Sequence, residues 1–116
     1  MSSANVTILM GNLTRDPELK EIGDNLSVCE FSIAVNHEYT DKSGEKQKEV
    51  SFFDINAWNK AGRACYEYLE KGRGVHVVGR LKQERWETDE QQKRSRIRVI
   101  AHSVQFLPRT QSSEDK

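Results

Sequence analysis

Apolar and polar residues alternate nearly one for one over most of the chain, and a period of two predicts strands. Residues 5–13, NVTILMGNL, form such a run, interrupted by Gly11. Residues 26–36, LSVCEFSIAVN, put Cys29, Phe31, Ile33 and Val35 on one face of a second strand. The stretch between them, TRDPELKEIGDN, holds Pro17, Gly23 and an Asp-Asn pair and reads as a loop or short ribbon. After residue 36, HEYTDKSGEKQKE is polar with Ser43-Gly44 at its middle, which predicts a hairpin tip. A third strand follows at about residues 48–58, a fourth at 74–86 (GVHVVGRLKQERW) and, beyond the polar turn ETDEQQK, a last one at about 94–107.

The period changes once. From Asn59 to Lys71 the apolar residues Ala61, Ala64, Cys65, Tyr68 and Leu69 fall at i, i+3, i+4, i+7 and i+8, one face of a short helix. Asn59 is placed to cap its start and Gly72 to end it. Gly11 and Gly79, inside strand-like runs, predict sharp bends or close backbone approach, as a small curled barrel requires. The expected fold is therefore all-β: a five-stranded oligonucleotide-binding (OB) barrel with one short helix between strands three and four.

A chain of 116 residues suits a single domain, taken as residues 1–107, with 108–116 read as the start of a disordered C-terminal tail. No apolar run approaches the roughly 18 residues of a membrane helix. The N-terminus enters the alternating pattern without a basic region before it, so it reads as a strand instead of a signal peptide, and the cytoplasm is the expected compartment. Cys29 and Cys65 stand 36 positions apart with no CxxC, which predicts two buried reduced thiols. His37, His76 and His102 lack metal spacing, and neither a metal nor a cofactor is expected. The formal net charge of zero hides an asymmetry: residues 1–58 carry 5 Lys or Arg against 10 Asp or Glu, whereas residues 60–98 carry 11 against 6. An even total of this kind is compatible with a basic face opposite an acidic one.

Catalytic signatures are missing. There is no GxxxxGK[ST], HExxH or GxSxG, the GRG at 72–74 is a weak echo of a phosphate loop, and Asp16 and Glu18 beside Pro17 read as solvated. The aromatic and basic residues carry more. In SFFDINAWNK, residues 51–60, Phe53, Ile55 and Ala57 make a core face, while Phe52, Asp54, Asn56 and Trp58 share the other. Strand four sets Arg80, Lys82, Glu84 and Trp86 on one face, strand five alternates Arg94, Arg96 and Arg98 with apolar residues, and Tyr39 stands in the polar hairpin arm. Lys60 and Arg85 join the same set of cations. Large rings among cations meet the needs of a single-stranded nucleic acid, whose bases stack on aromatics and whose phosphates seek Lys and Arg. An off-core ring can also fill a subunit interface, and a lone charged run is usually a solvated face; four rings with five arginines and lysines on strands four and five favour binding.

At this point the sequence resembles the bacterial single-stranded DNA-binding proteins. The matching pieces are ILMGNLTRDPEL, FSIAVNHEYTDKSGEKQKE, AWNKAGRACYEYLEKGRGVHVVGRLK, ERWETDEQQK and VQFL, in family order over about residues 5–107. The resemblance implies an OB barrel that self-assembles, usually as a homotetramer with a dimer the alternative, and covers single-stranded DNA without sequence preference in replication, recombination and repair. It implies base-stacking rings at Tyr39, Phe52, Trp58 and Trp86, the first two commonly tryptophan in the family and the third commonly phenylalanine. Where the family often has Trp-His-Arg, this chain has Phe52-Phe53-Asp54, so a histidine associated with subunit contacts becomes Phe53 and a cation becomes Asp54. The family's acidic tip, Asp-Asp-Asp-Ile-Pro-Phe, has no counterpart where the chain stops at Ser113-Glu114-Asp115-Lys116, so recruitment of repair and replication enzymes through it is not expected.

The expectation is a non-enzymatic binder whose partners are single-stranded DNA and copies of itself, with no membrane role. The alternative is a primosome-type interaction module that keeps the barrel and uses the same rings to dock protein.

Overall fold

The computed structural model describes residues 2–108. Five long strands form as the alternation predicts: β1 (Thr7–Leu13), β3 (Leu26–Thr40), β4 (Lys46–Trp58), β5 (Gly74–Glu87) and β6 (Lys93–Phe106). A sixth, β2 (Glu18–Gly23), lies in the segment read as a loop or ribbon and adds to the edge of β3. Only Leu19 of its side chains is half-buried, so it carries almost no apolar alternation to read. The hairpin arm also runs further than its polar sequence indicated, because β3 and β4 stay paired from Val28–Trp58 out to Thr40–Lys46.

The sheet order β1-β5-β6-β4-β3-β2 closes through a second pairing of β1 with β3, and β4 runs parallel to β6 while the other ladders are antiparallel. Without the β2 ribbon this is the five-stranded barrel expected, with its helix between the third and fourth barrel strands. Inward-facing residues of each strand meet in one core: Leu13 from β1, Cys29, Phe31 and Ile33 from β3, Ile55 and Ala57 from β4, Val75 and Val77 from β5, and Val99 from β6. Burying these side chains supplies the main drive to fold, about 25 cal/mol per Å² of apolar area.

Two glycines make the curl possible. A Cβ on Gly11 would run into the Ala34 carbonyl where β1 meets β3. One on Gly79 would run into the Ile100 carbonyl, at the point where the β5–β6 register slips by a residue between Val78 and Gly79. Both close approaches were expected of strand glycines.

Helix α1 (Asn59–Tyr68) covers one end of the barrel, packing mainly on β3 and β4. It is three residues shorter than predicted, and its start works differently. Trp58 holds the N-cap position with no side-chain cap bond, while Asn59 sits at φ 53° and its Oδ1 accepts the Ser27 N–H at 3.1 Å. Asn59 thus fastens the helix start to β3 instead of capping it. Gly62 is buried against the Ala57 carbonyl, and Gly72 (φ 93°) makes the left-handed turn into β5, donating its N–H to Leu13 O. Asp16 is not simply solvated: it accepts the Lys71 N–H at 2.8 Å and ties the β1–β2 loop to the helix exit. Cys29 and Cys65 are both free and buried. Among the described residues no helix is long and apolar enough to cross a membrane. The tail expected at 108–116 lies, from residue 109 on, outside the described residues.

Candidate nucleic-acid interface

The outer face of the barrel is built by the side chains that the core rejects. On β4 these are Phe52, Asp54, Asn56 and Trp58, and the ladder sets Ala34, Ser32, Glu30 and Val28 of β3 beside them. The parallel β4–β6 contact pairs Asn56 with Ile100, and Ile100 pairs in turn with Arg80 of β5. Below that row, Arg98 faces Lys82, Arg96 faces Glu84 and Arg94 faces Trp86. Residues from four strands, separated by up to 72 positions in the chain (Val28 to Ile100), therefore share one surface.

The rings differ in what they offer. Phe52 is 64% exposed and Trp86 46%, so each presents an aromatic face to solvent from the same side of the sheet. Trp58 is half-buried, with the buried Val28 directly across the ladder. Tyr39 stands apart: it pairs with Gln47 and, counting by twos along β3, lies on the face of Ile33 and Val35, opposite Phe52. There it stacks on His37 with ring centroids 6.1 Å apart. Three of the four predicted rings are thus brought to one surface, and the fourth lies on the other side of the arm.

The cations also divide. Arg80 and Lys82 are exposed and make no ion pair among the described residues, and the same holds for Lys60 at the start of α1. Arg94 donates to Gln92 at 2.6 Å. Arg85 lies on the opposite face of the β5–β6 hairpin, paired with Ser95 and donating to Gln83 at 2.9 Å. A cleft of about 490 Å³ opens at this end of the hairpin among Trp86, Arg94, Lys93 and Ser95.

Arg98 is held within the protein. Its side chain is only 11% exposed; Nε donates to Glu84 Oε1 at 2.9 Å, Nη1 donates to Asn56 Oδ1 at 3.2 Å, and Glu30 lies 3.9 Å away. Glu30 in turn meets Lys20 of β2 at 3.0 Å. Arg96, half-exposed, donates Nε to the same Glu84 Oε1 at 3.0 Å and carries its guanidinium 5.7 Å from the centre of the Trp86 ring, a cation–π arrangement. Glu84 is held below the usual carboxylate range by the hydrogen bond from Arg96 and then that from Arg98. Asn56 and Glu30 were not singled out from sequence, because their role depends on the cross-strand pairing.

At the tip of the β3–β4 arm, Asp41 organises the turn. It accepts from Ser43 Oγ (2.8 Å), the N–H groups of Ser43 and Glu45, and Gln47 Nε2, and the Ser43 hydroxyl is the leading cause of its lowered pKa. Among the described residues no group of three or more His, Cys, Asp or Glu is placed to hold a metal ion.

Comparison with known proteins extends these observations. Residues 4–107 match the model of the single-strand binding protein family. A protein of Treponema pallidum named single-stranded DNA-binding protein is 44% identical over 108 residues, covering 92% of this chain and 60% of its own length. One of the same name from Aquifex aeolicus is 37% identical, covering 95% of this chain and 74% of its own length. A solved structure described as a Plasmodium falciparum SSB complex with ssDNA superposes with a TM-score of 0.84 at 27% identity, covering 93% of this chain and 98% of that one. The chain spans about three fifths of the Treponema relative.

Proposed function

The chain belongs to the single-strand binding protein family, and from this we propose that it binds single-stranded DNA without sequence preference, as a non-enzymatic cover for exposed strands in replication, recombination and repair. One observation carries the reading: Phe52 and Trp86, large rings 64% and 46% exposed, share a face with Arg80 and Lys82, cations without an ion pair among the described residues. Bases stack on the rings, at roughly 1–3 kcal/mol each, while the cations meet phosphates and make affinity fall with salt. Trp58, half-buried further along the same face of β4, offers a smaller aromatic surface, and Arg94 and Arg96 add charge near Trp86. Lys60 follows Trp58 by two residues in the chain and extends the basic strip; Tyr39 and Arg85, on other faces, reach the strand only if it wraps around the arms.

Self-association is part of the same proposal. Val6, just before β1, and Ile8 and Met10 within it expose their side chains, with Ile8 and Met10 paired with Val78 and His76 of β5. That apolar strip continues the outer side of β5 beyond Arg80 and Lys82, and it supports assembly into a dimer or homotetramer. The setting that follows from the reading is the cytoplasm of a bacterium, at the nucleoid.

Only two tryptophans are present, Trp58 and Trp86, so intrinsic fluorescence reports the site directly. Addition of oligo-dT at low salt is expected to quench it, with most of the quench lost in Trp86→Ala. No change in wild-type fluorescence, together with no binding by anisotropy of a labelled oligonucleotide, would sink the reading. Light scattering with and without oligo-dT measures assembly and stoichiometry together.

A further inference from the structure

The binding face carries its own anion. Glu84 stands on β5 between Lys82 and Trp86, on the side that presents Arg80, Lys82, Arg94 and Arg96. One carboxylate oxygen, Oε1, receives the Nε–H of both Arg96 (3.0 Å) and Arg98 (2.9 Å). We infer that Glu84 is a resident counter-anion, occupying in the free protein the place beside Arg96 that a DNA phosphate would take, and so holding affinity and salt dependence below what these cations could deliver. This rests on the proposed single-stranded DNA binding.

The other acids of the face are placed differently. Glu30 is engaged by Lys20 and lies near Arg98, which is itself nearly buried. Asp54 is exposed and forms no ion pair among the described residues. Glu84 alone meets Arg96, the arginine that lies over Trp86. A base stacked on Trp86 brings its phosphate toward that guanidinium. Phosphate and Glu84 are then two anions competing for one cation, and at these distances their mutual repulsion is felt even where water screens it.

The arrangement also answers a problem of assembly. Arg94, Arg96 and Arg98 project from one face of one strand, and Arg96 and Arg98 stand only two residues apart. Like charges so placed repel. A carboxylate shared between two of them offsets this in the unbound protein, and a phosphate can supply the same charge in the complex.

The test is the salt dependence of oligo-dT binding by anisotropy, from about 50 to about 200 mM salt, for wild type and Glu84→Gln. Glutamine keeps the length and an acceptor oxygen while removing the charge. The expected result is at least about threefold tighter binding at the low-salt end and a slope of log K against log salt steeper by about 0.7, the increment for one more neutralised phosphate on a single strand. Equal or weaker binding by Glu84→Gln, with normal salt-dependent binding by wild type, overturns the inference alone and leaves DNA binding standing. Absence of oligo-dT binding by wild type overturns both. Arg96→Gln in the otherwise unchanged chain gives a second readout should Glu84→Gln fail to fold: with its charge already offset, Arg96 should account for well under half the slope lost in Lys82→Gln. An equal loss from the two substitutions overturns the inference.

Discussion

Replacing Arg98 with methionine separates the two jobs that the arginines of β6 do. Methionine keeps an unbranched chain of similar reach but removes the Nε donation to Glu84 (2.9 Å) and the Nη1 donation to Asn56 (3.2 Å), and takes away the cation 3.9 Å from Glu30. Bonds to charged partners contribute about 1.5–3 kcal/mol each, and breaking a buried pair costs about 3–5 kcal/mol when it strands a charge. Here the charges are not fully stranded, since Glu84 keeps Arg96 and Glu30 keeps Lys20, but Asn56 is left buried with its oxygen unpaired. The expected loss is about 2–4 kcal/mol, a fall in Tm on the order of 10 °C for a chain of this size. Thermal unfolding followed by circular dichroism, at matched protein concentration because assembly would raise Tm by mass action, measures it. The salt slope of oligo-dT binding should hardly move, because Arg98 is nearly buried and already satisfied. A Tm within about 2 °C of wild type, or a slope reduced by the full ~0.7 of a lost phosphate contact, would refute the division.

Gly79→Ala should lower stability by about 1–3 kcal/mol, since its Cβ meets the Ile100 carbonyl, whereas Gly23→Ala, with nothing within 4 Å, should not; equal melting curves would refute the close-approach account. Burial pushes the Cys29 thiol up to about 11 and the Cys65 thiol up to about 12, so both should resist alkylation at mildly alkaline pH in the native protein and react at once in urea. Because the folded pKa is the higher one, their neutral forms favour the native state below the unfolded thiol value of about 8.5, and that contribution is lost as pH rises from there toward about 11. Urea midpoints that stay flat over this range would count against it. Asp54→Arg, on the exposed face between Phe52 and Asn56, should tighten oligo-dT binding several-fold at low salt and converge with wild type at high salt; unchanged affinity would mean that the strand bypasses this part of β4.

Much of the fold was legible because most of its strands are half-buried, and half-burial writes a period of two into the chain. Cys29, Phe31, Ile33, Ile55 and Ala57 all lie in the core where that period put them. What escaped was local structure whose cause lies elsewhere in the molecule. β2 pairs along β3 through backbone bonds and buries little, so its sequence looks like a loop. Asn59 looks like a cap because asparagine is a good one, yet its side chain goes to Ser27 N, 32 residues away. Gly62 was passed over as a residue of the buried helix face, because a glycine adds nothing to an apolar count even when the Ala57 carbonyl leaves no room for a larger side chain.

For the site the same limit is sharper. Alternation tells which face of a strand a side chain takes, but not what that face meets on the neighbouring strands. Arg94, Arg96 and Arg98 read as three equal phosphate ligands because nothing within RSRIRVI distinguishes them. Pairing does: the β5–β6 register sets Arg96 opposite Glu84, and the parallel β4–β6 contact brings Asn56 within reach of Arg98. Tyr39 is the converse case, since an unbroken ladder from Val28 to Thr40 puts it an odd number of residues from the β3 positions that flank Phe52. An aromatic in a polar arm is therefore only half of a stacking argument. The other half is the count of residues between it and the next ring, carried across the ladder, and that count depends on strand pairing that no single segment encodes.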